Sequence, residues 1–106
     1  MTVHKLAALP QLETAVLEED RQISRVFCCD MLSIAMGRAP ADCAWVTVMG
    51  NRNVVAVACL ADAACVIIAE GYNFDEDALE AARGKVTLLK STLPVFETAS
   101  LIHESL

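Results

Sequence analysis

Short apolar runs alternate along this chain with segments whose apolar residues recur at helical spacing. From about residue 24 onward, four apolar runs begin about twenty residues apart, which leaves room for a crossover helix between successive strands. The run CVIIA, residues 65–69, shows no polar alternation, as expected for a strand that is covered on both faces. The pattern predicts an α/β fold in two or three layers, with a mostly parallel sheet built from β-α-β units.

The predicted elements fill the chain without a linker or a low-complexity stretch, so residues 1–106 are interpreted as a single domain. The predicted strands are Leu12 to Leu17, Ser24 to Cys29, Ala44 to Met49, Cys65 to Ala69 and Val86 to Leu89. The predicted helices are Val3 to Leu9, Met31 to Met36, Asn53 to Ala61, Phe74 to Arg83 and Leu93 to Glu104.

Capping residues mark several of the predicted helix ends. Asp30 is expected to cap the second helix and Gly37 to end it, while Asn73 is expected to cap the fourth. Either Asn51 or Asn53 is expected to cap the third helix, in the polar stretch that separates a strand from an apolar helix.

The helices also differ in their apolar faces. In the last helix, apolar residues recur at helical spacing and are expected to form the face that packs on the sheet: Val95, Ala99, Ile102 and Leu106. The third helix, with the sequence VVAVACLA, is apolar all round. One of its sides is expected to meet the sheet, and the other is a candidate contact with a second subunit.

The composition changes this picture mainly by suggesting a partner. Apolar residues make up 56% of the chain, above the roughly 45–50% of soluble domains, and a small domain has little interior in which to bury them. A homodimer is therefore expected. Eight basic and 14 acidic residues give a net charge of −6 without a basic cluster, which argues against nucleic-acid binding.

The chain offers no candidate membrane span, since its longest apolar stretch, residues 54–69, is interrupted by Asp62. No leader pattern opens the sequence, so a cytoplasmic location is expected. The five cysteines include no C-x-x-C pair and are interpreted as reduced core residues. His4 and His103 lie near opposite ends without metal-ligand spacing, and neither a metal nor a cofactor is expected.

Polar residues follow each parallel strand of the prediction, and the carboxyl ends of such strands meet at one edge of the sheet. These residues are Asp30 and Ser33; Gly50, Asn51, Arg52 and Asn53; Glu70 and Gly71; and Ser91 and Thr92, beside Lys90. They predict a site at this edge for a polar small molecule. The alternative is that they only cap helices and ease turns.

The charges at this edge leave the sign of the ligand's charge open. Asp30 and Glu70 would repel a phosphate, whereas Arg52 and Lys90 would attract it. Catalytic motifs are missing: the glycines do not form a phosphate loop, there is no G-x-S-x-G turn, and neither histidine follows a parallel strand. The sequence therefore favours a protein that is not an enzyme.

The segment from about Ala44 to Ala99 resembles the DRTGG domain, a small α/β module found beside CBS domains in some pyrophosphatases and related to the N-terminal domain of HPr kinase/phosphorylase. The family's Gly-Asp-Arg-x-Asp turn appears as MGNRNV, which keeps Gly50 and Arg52 but has asparagine at 51 and 53. Its Thr-Gly-Gly appears as AEG, which keeps Gly71. A later stretch appears as STLPVFETA.

The resemblance is to short stand-alone members, and it implies a regulatory role without the kinase half. The leading hypothesis is a non-catalytic module that binds a polar or nucleotide-like ligand at the carboxyl edge of the sheet and forms a homodimer. The alternative is an interaction or dimerisation scaffold without a ligand.

Overall fold

Ten elements follow one another in the computed structural model, which describes residues 1–106. The strands are β1 (Leu12–Val16), β2 (Val26–Cys28), β3 (Ala44–Thr47), β4 (Cys65–Ile68) and β5 (Thr87–Ser91). The helices are α1 (Val3–Ala7), α2 (Leu32–Arg38), α3 (Arg52–Leu60), α4 (Glu76–Ala82) and α5 (Val95–Glu104). Every predicted strand and helix is present, with ends displaced by a few residues at most.

The strands form one sheet in the spatial order β1-β5-β4-β3-β2. The four strands β2 to β5 are parallel and lie side by side in chain order, each joined to the next through a helix. β1 pairs with β5 in the antiparallel direction and forms one edge of the sheet, while β2 forms the other. This topology confirms the predicted α/β fold with a mostly parallel sheet.

Helices cover both faces of the sheet, so the domain has three layers. On one face, side chains of α2, α3 and α4 pack on Trp45, Val66 and Leu88. On the other face, α1 and α5 pack on Ile67 and Leu89. The two side-chain clusters alternate along each strand because successive residues of a strand point to opposite faces.

The central strands explain why the sequence shows no alternation there. Every residue of β3 and β4 is buried, and neighbouring Ile67 and Ile68 contribute to opposite cores with no exposed surface. Burying one such side chain stabilises the fold by about 1.5–3 kcal/mol. A polar residue at either position would lose that contribution, so both positions of the pair are apolar.

The apolar surface of α3 has a partner within its own layer. Val54, Val55, Val57 and Ala58 are buried, because α3 lies on the sheet between α2 and α4. The neighbouring helices thus cover much of the surface that the sequence offered to a second subunit. Leu60, at the end of α3, is 75% exposed.

Several predicted helix ends are wrong in detail. Asp30 does not cap α2, whose N-cap residue is Met31, and the helix continues through Gly37 to Arg38. Asn73 does not cap α4, which follows Asp75. Leu106 lies beyond the end of α5 and is 45% exposed, so it is not part of the face that packs on the sheet.

An ion cluster joins three segments at the amino ends of the parallel strands. The Arg21 guanidinium donates to the Asp42 carboxylate, lies 3.1 Å from Oδ1 of Asp62, and donates to the carbonyl of Ala63 at 3.1 Å. Partial burial tends to lower the pKa of Arg21, but the bonds to the two carboxylates outweigh it and the pKa is raised. The cluster therefore joins the segment before β2 to the turns before β3 and β4.

Candidate functional site

The chain leaves β4 and β5 toward opposite faces of the sheet, and the two loops are tied together before they separate. From β4 the chain runs to α4, and from β5 it runs to α5 on the other face. The N–H of Glu70 donates to the carbonyl of Leu93 at 2.9 Å, and that of Gly71 donates to the carbonyl of Ser91 at 3.0 Å. Ligands of open parallel sheets bind where such loops diverge.

Glu70 has a structural partner at this point. Its Oε2 accepts a hydrogen bond of 2.9 Å from the N–H of Val95, the first residue of α5. α5 has Pro94 at its N-cap position and no side-chain cap of its own, so Glu70 supplies the acceptor from a distance. Both Glu70 and Gly71 have positive φ angles, of 62° and 75°, which makes the turn after β4 tight.

Ser91 is buried, and its hydroxyl forms hydrogen bonds within the domain. It is 3% exposed, its Oγ lies 2.8 Å from the hydroxyl of Thr98, and it accepts from the N–H of Leu93 at 3.1 Å. The Thr98 hydroxyl in turn donates to the carbonyl of Leu93 at 3.2 Å. These bonds fix the turn that presents Thr92, which is exposed.

A groove of about 300 Å³ opens beside this turn. From the predicted set it contains Gly71, Ser91 and Thr92, together with Lys90. Its other wall is the start of the antiparallel strand β1, residues 10–13. Across the groove the Lys90 ammonium lies 3.2 Å from Oε2 of Glu13, and the two side chains form an ion pair.

The β1 wall of this groove was not predicted from the sequence. Gln11 and Glu13 follow no parallel strand and reach the carboxyl edge only because β1 runs antiparallel beside β5. The one relevant signal is the opposite charge of Glu13 and Lys90, which lie directly opposite each other in the β1–β5 pairing.

Close packing at Gly50 and helix capping by Asn51 determine the conformation of the turn between β3 and α3. A β-carbon on Gly50 would lie 2.4 Å from the carbonyl oxygen of Asn73, so no larger residue fits. The carbonyl of Gly50 accepts from the N–H of Asp75 at 2.8 Å. Asn51 is the N-cap of α3, with Oδ1 accepting from the N–H of Val54 at 3.2 Å. Of the two capping alternatives, the structure selects Asn51.

Arg52 and Asn53 are exposed and line a second groove, of about 250 Å³, between α3 and α4. Cys59 and Lys85 also line it. This groove is separate from the one beside β5, and the two share no lining residue.

Asp30 and Ser33 lie apart from both grooves. Oδ1 of Asp30 accepts from the Thr47 hydroxyl at 2.8 Å and from the N–H of Val48 at 2.9 Å, which ties the end of β2 to the end of β3. Ser33 is exposed on α2. The ten predicted residues thus share the carboxyl edge of the sheet but do not share one cavity.

The largest pKa shifts in the chain belong to two buried thiols. All five cysteines are free, and burial raises the pKa of Cys43 to about 11 and that of Cys65 to about 12. No group of three or more His, Cys, Asp or Glu side chains is arranged to hold a metal ion. None of the helices has the length and apolar character needed to cross a bilayer.

Comparisons with known proteins found a matching family and a solved structure of similar fold. The family model described as the DRTGG domain matches residues 11–105. A similar solved structure is that of the CBS and DRTGG domains of the regulatory region of Clostridium perfringens pyrophosphatase, complexed with its activator diadenosine tetraphosphate. The two share 12% identity with a TM-score of 0.78, over 99% of this chain and 47% of that one. No curated protein matches the chain significantly.

Proposed function

This chain belongs to the DRTGG domain family, and from that premise we propose that it is a non-catalytic regulatory module that binds a polar, nucleotide-like small molecule at the carboxyl edge of its sheet. The observation that carries the proposal is the groove between β1 and β5, which opens where the loops after β4 and β5 diverge. We further propose that the module acts as a homodimer.

The chemistry of the groove supports a polar ligand. Lys90 offers a cation, Glu13 a carboxylate, Gln11 an amide and Thr92 a hydroxyl, whereas Pro10 and Leu12 supply the apolar side chains among the eight lining residues. A ligand with hydroxyl and amine groups would match these donors and acceptors. The volume of about 300 Å³ is at the low end for small-molecule pockets, so the groove suits a nucleoside or sugar phosphate better than a dinucleotide.

Relatives support a regulatory role without identifying the ligand. The C. perfringens region contains CBS domains as well as a DRTGG domain, and this chain spans about half of it. The activator of that protein is thus a class of compound to test here, together with smaller nucleotides.

The experiment is a thermal-shift screen against adenine and guanine mononucleotides, diadenosine tetraphosphate and sugar phosphates. Any hit is repeated with the double variant Lys90→Ala/Thr92→Ala and with the control Arg52→Ala/Asn53→Ala. All four side chains are at least partly exposed, so both variants should remain folded. We expect the first variant to abolish the shift and the second to keep it.

The remaining outcomes distinguish the alternative binding site and the scaffold without a ligand. If only the Arg52/Asn53 variant loses the shift, the ligand binds between α3 and α4 and the β1–β5 assignment is wrong. If no compound in the screen shifts the melting temperature while the protein is a tight dimer, the scaffold without a ligand is favoured.

A further inference from the structure

The two edges of the sheet differ in how they are protected from pairing with another strand. At the β1 edge the strand follows Pro10, carries the ion pair of Glu13 with Lys90, and has an irregularity between Thr14 and Val16. Short strands, proline, charges and bulges are the features by which sheet edges avoid edge-to-edge association. Of these features the β2 edge has only its short length, with the three residues Val-Phe-Cys.

The backbone of β2 is free on its outer side. The carbonyl of Arg25 accepts from the N–H of Ala44, and the N–H of Cys29 donates to the carbonyl of Val46, so these odd-numbered residues face β3. Because successive residues of a strand alternate, Val26 and Cys28 direct their N–H and C=O groups away from the sheet. They form an open ladder of two residues.

Apolar side chains flank this open ladder on both faces of the sheet. On the α5 side, a groove of about 380 Å³ separates β2 from the helix, and Phe96 at its rim is 76% exposed. On the other side, α2 and the residue before it expose Met31, Ile34 and Met36. Four of the eight large apolar side chains that are exposed in this protein therefore lie on the two segments that flank β2.

We propose that β2 pairs in the antiparallel direction with β2 of a second copy, so that the two sheets join into one of ten strands. This inference rests on the homodimer of the proposed function and specifies the surface through which the two copies associate. With the two-fold axis at Phe27, Val26 lies opposite Cys28 of the second copy and exchanges both backbone hydrogen bonds with it.

The apolar side chains on both faces of this edge favour a second copy over an extended peptide from another protein. A peptide strand would pair with β2 but leave α2 and α5 exposed on opposite faces. A second copy brings its own α2 and α5, which cover both faces at once.

The test is the oligomeric state by light scattering at about 50 μM, with two variants of matched exposure. Phe96→Glu places a charge beside the β2 edge, and Leu60→Glu places one at a side chain that is 75% exposed at the end of α3. We expect the wild type and Leu60→Glu to be dimeric and Phe96→Glu to be monomeric, with unchanged circular dichroism. A monomeric wild type would overturn both this surface and the proposed homodimer.

A crosslink keeps the proposal testable if Phe96→Glu fails to fold. In a Cys59→Ser background, Val26→Cys should form an intermolecular disulfide with Cys28 of the second copy, since residues that directly oppose each other in a hydrogen-bonded pair have Cα atoms about 5.5 Å apart. The background alone should not crosslink. A wild-type dimer that survives Phe96→Glu and gives no covalent dimer with Val26→Cys would retain the homodimer and reject this surface, whatever the ligand screen finds.

Discussion

The Glu70 carboxylate accepts a hydrogen bond of 2.9 Å from the backbone N–H of Val95, twenty-five residues further along the chain. The bond joins the turn after β4 to the start of α5, and Gly71, the neighbour of Glu70 in this turn, lines the candidate ligand groove. It also places a negative charge at the positive end of the helix dipole, which is a stabilising arrangement.

Removing the Glu70 cap should destabilise the domain while the backbone conformation at residue 70 stays the same. Glu70→Ala is expected to lower the free energy of unfolding by about 1 kcal/mol, as for the loss of an ordinary N-cap. Glu70→Gln keeps an acceptor oxygen at the same reach and should lose less. Both replacements share the β-carbon of Glu70 at its φ of 62°, so backbone strain is matched. Urea denaturation checks this, and equal stability of the alanine variant and the wild type would contradict it.

Two glycines should respond to alanine in opposite directions. Gly50→Ala forces a β-carbon to within 2.4 Å of the Asn73 carbonyl and 3.1 Å of the Phe74 Cα, so a backbone must shift. The expected cost is about 1–3 kcal/mol. Gly37 lies inside α2 with nothing within 4 Å of an added β-carbon, and Gly37→Ala should stabilise by about 0.5–1 kcal/mol.

Thermal unfolding of both alanine variants tests this pair. A Gly50→Ala protein as stable as the wild type would show that the turn between β3 and α3 can relax. The conclusion that glycine is required there by close packing would then be wrong.

The succession of strands and helices along the chain could be predicted from the sequence because burial imposes it directly. Strands such as β4 must be apolar on both faces, and a crossover helix needs a minimum length between parallel strands. The position of Asn51 before an apolar run likewise predicts a cap. These features depend on residues that are close together in the chain, so they can be predicted from one sequence.

The site could be predicted only in part because its other wall depends on distant pairing. Gln11 and Glu13 reach the groove through the antiparallel pairing of β1 with β5, across nearly eighty residues of chain. Asp30 illustrates the same limit, since a carboxylate next to a helix start is as able to accept from the neighbouring strand as to cap the helix. Local sequence does not distinguish these two partners.

Acid should remove a contribution that Asp20 makes to stability. The N–H of His4 donates to its Oδ1 at 2.9 Å, and this bond, aided by the nearby Thr2 hydroxyl, lowers the pKa of Asp20 below its ordinary value. Since the folded-state pKa is the lower one, the contribution is present above the unfolded pKa of about 3.9 and is lost as the pH falls through the folded value.

Asp20→Asn should therefore be less stable than the wild type at neutral pH, and the difference should shrink as the pH is lowered below about 4. Urea midpoints of the two proteins across this pH range provide the measurement. A difference that stays constant down to acid would show that the carboxylate charge is not responsible.

Thiol labelling connects the burial of the cysteines to the proposed dimer. Burial raises the pKa of Cys43 to about 11 and that of Cys65 to about 12, so both should label with maleimide only after unfolding. Cys28 and Cys59 are exposed in the single chain, although partial burial raises the pKa of Cys28. Cys28 should therefore react more slowly than an unperturbed exposed thiol at any protein concentration.

Pairing of β2 with a second copy adds a protection of Cys28 that depends on concentration. On dilution from about 50 μM to a concentration at which light scattering shows a monomer, the labelling rate of Cys28 should rise several-fold, while that of Cys59 should not change. Mass spectrometry of peptides after timed labelling separates the two sites. If dilution leaves the ratio of the two rates constant while the dimer dissociates, Cys28 lies outside the interface, because a raised pKa alone does not vary with protein concentration.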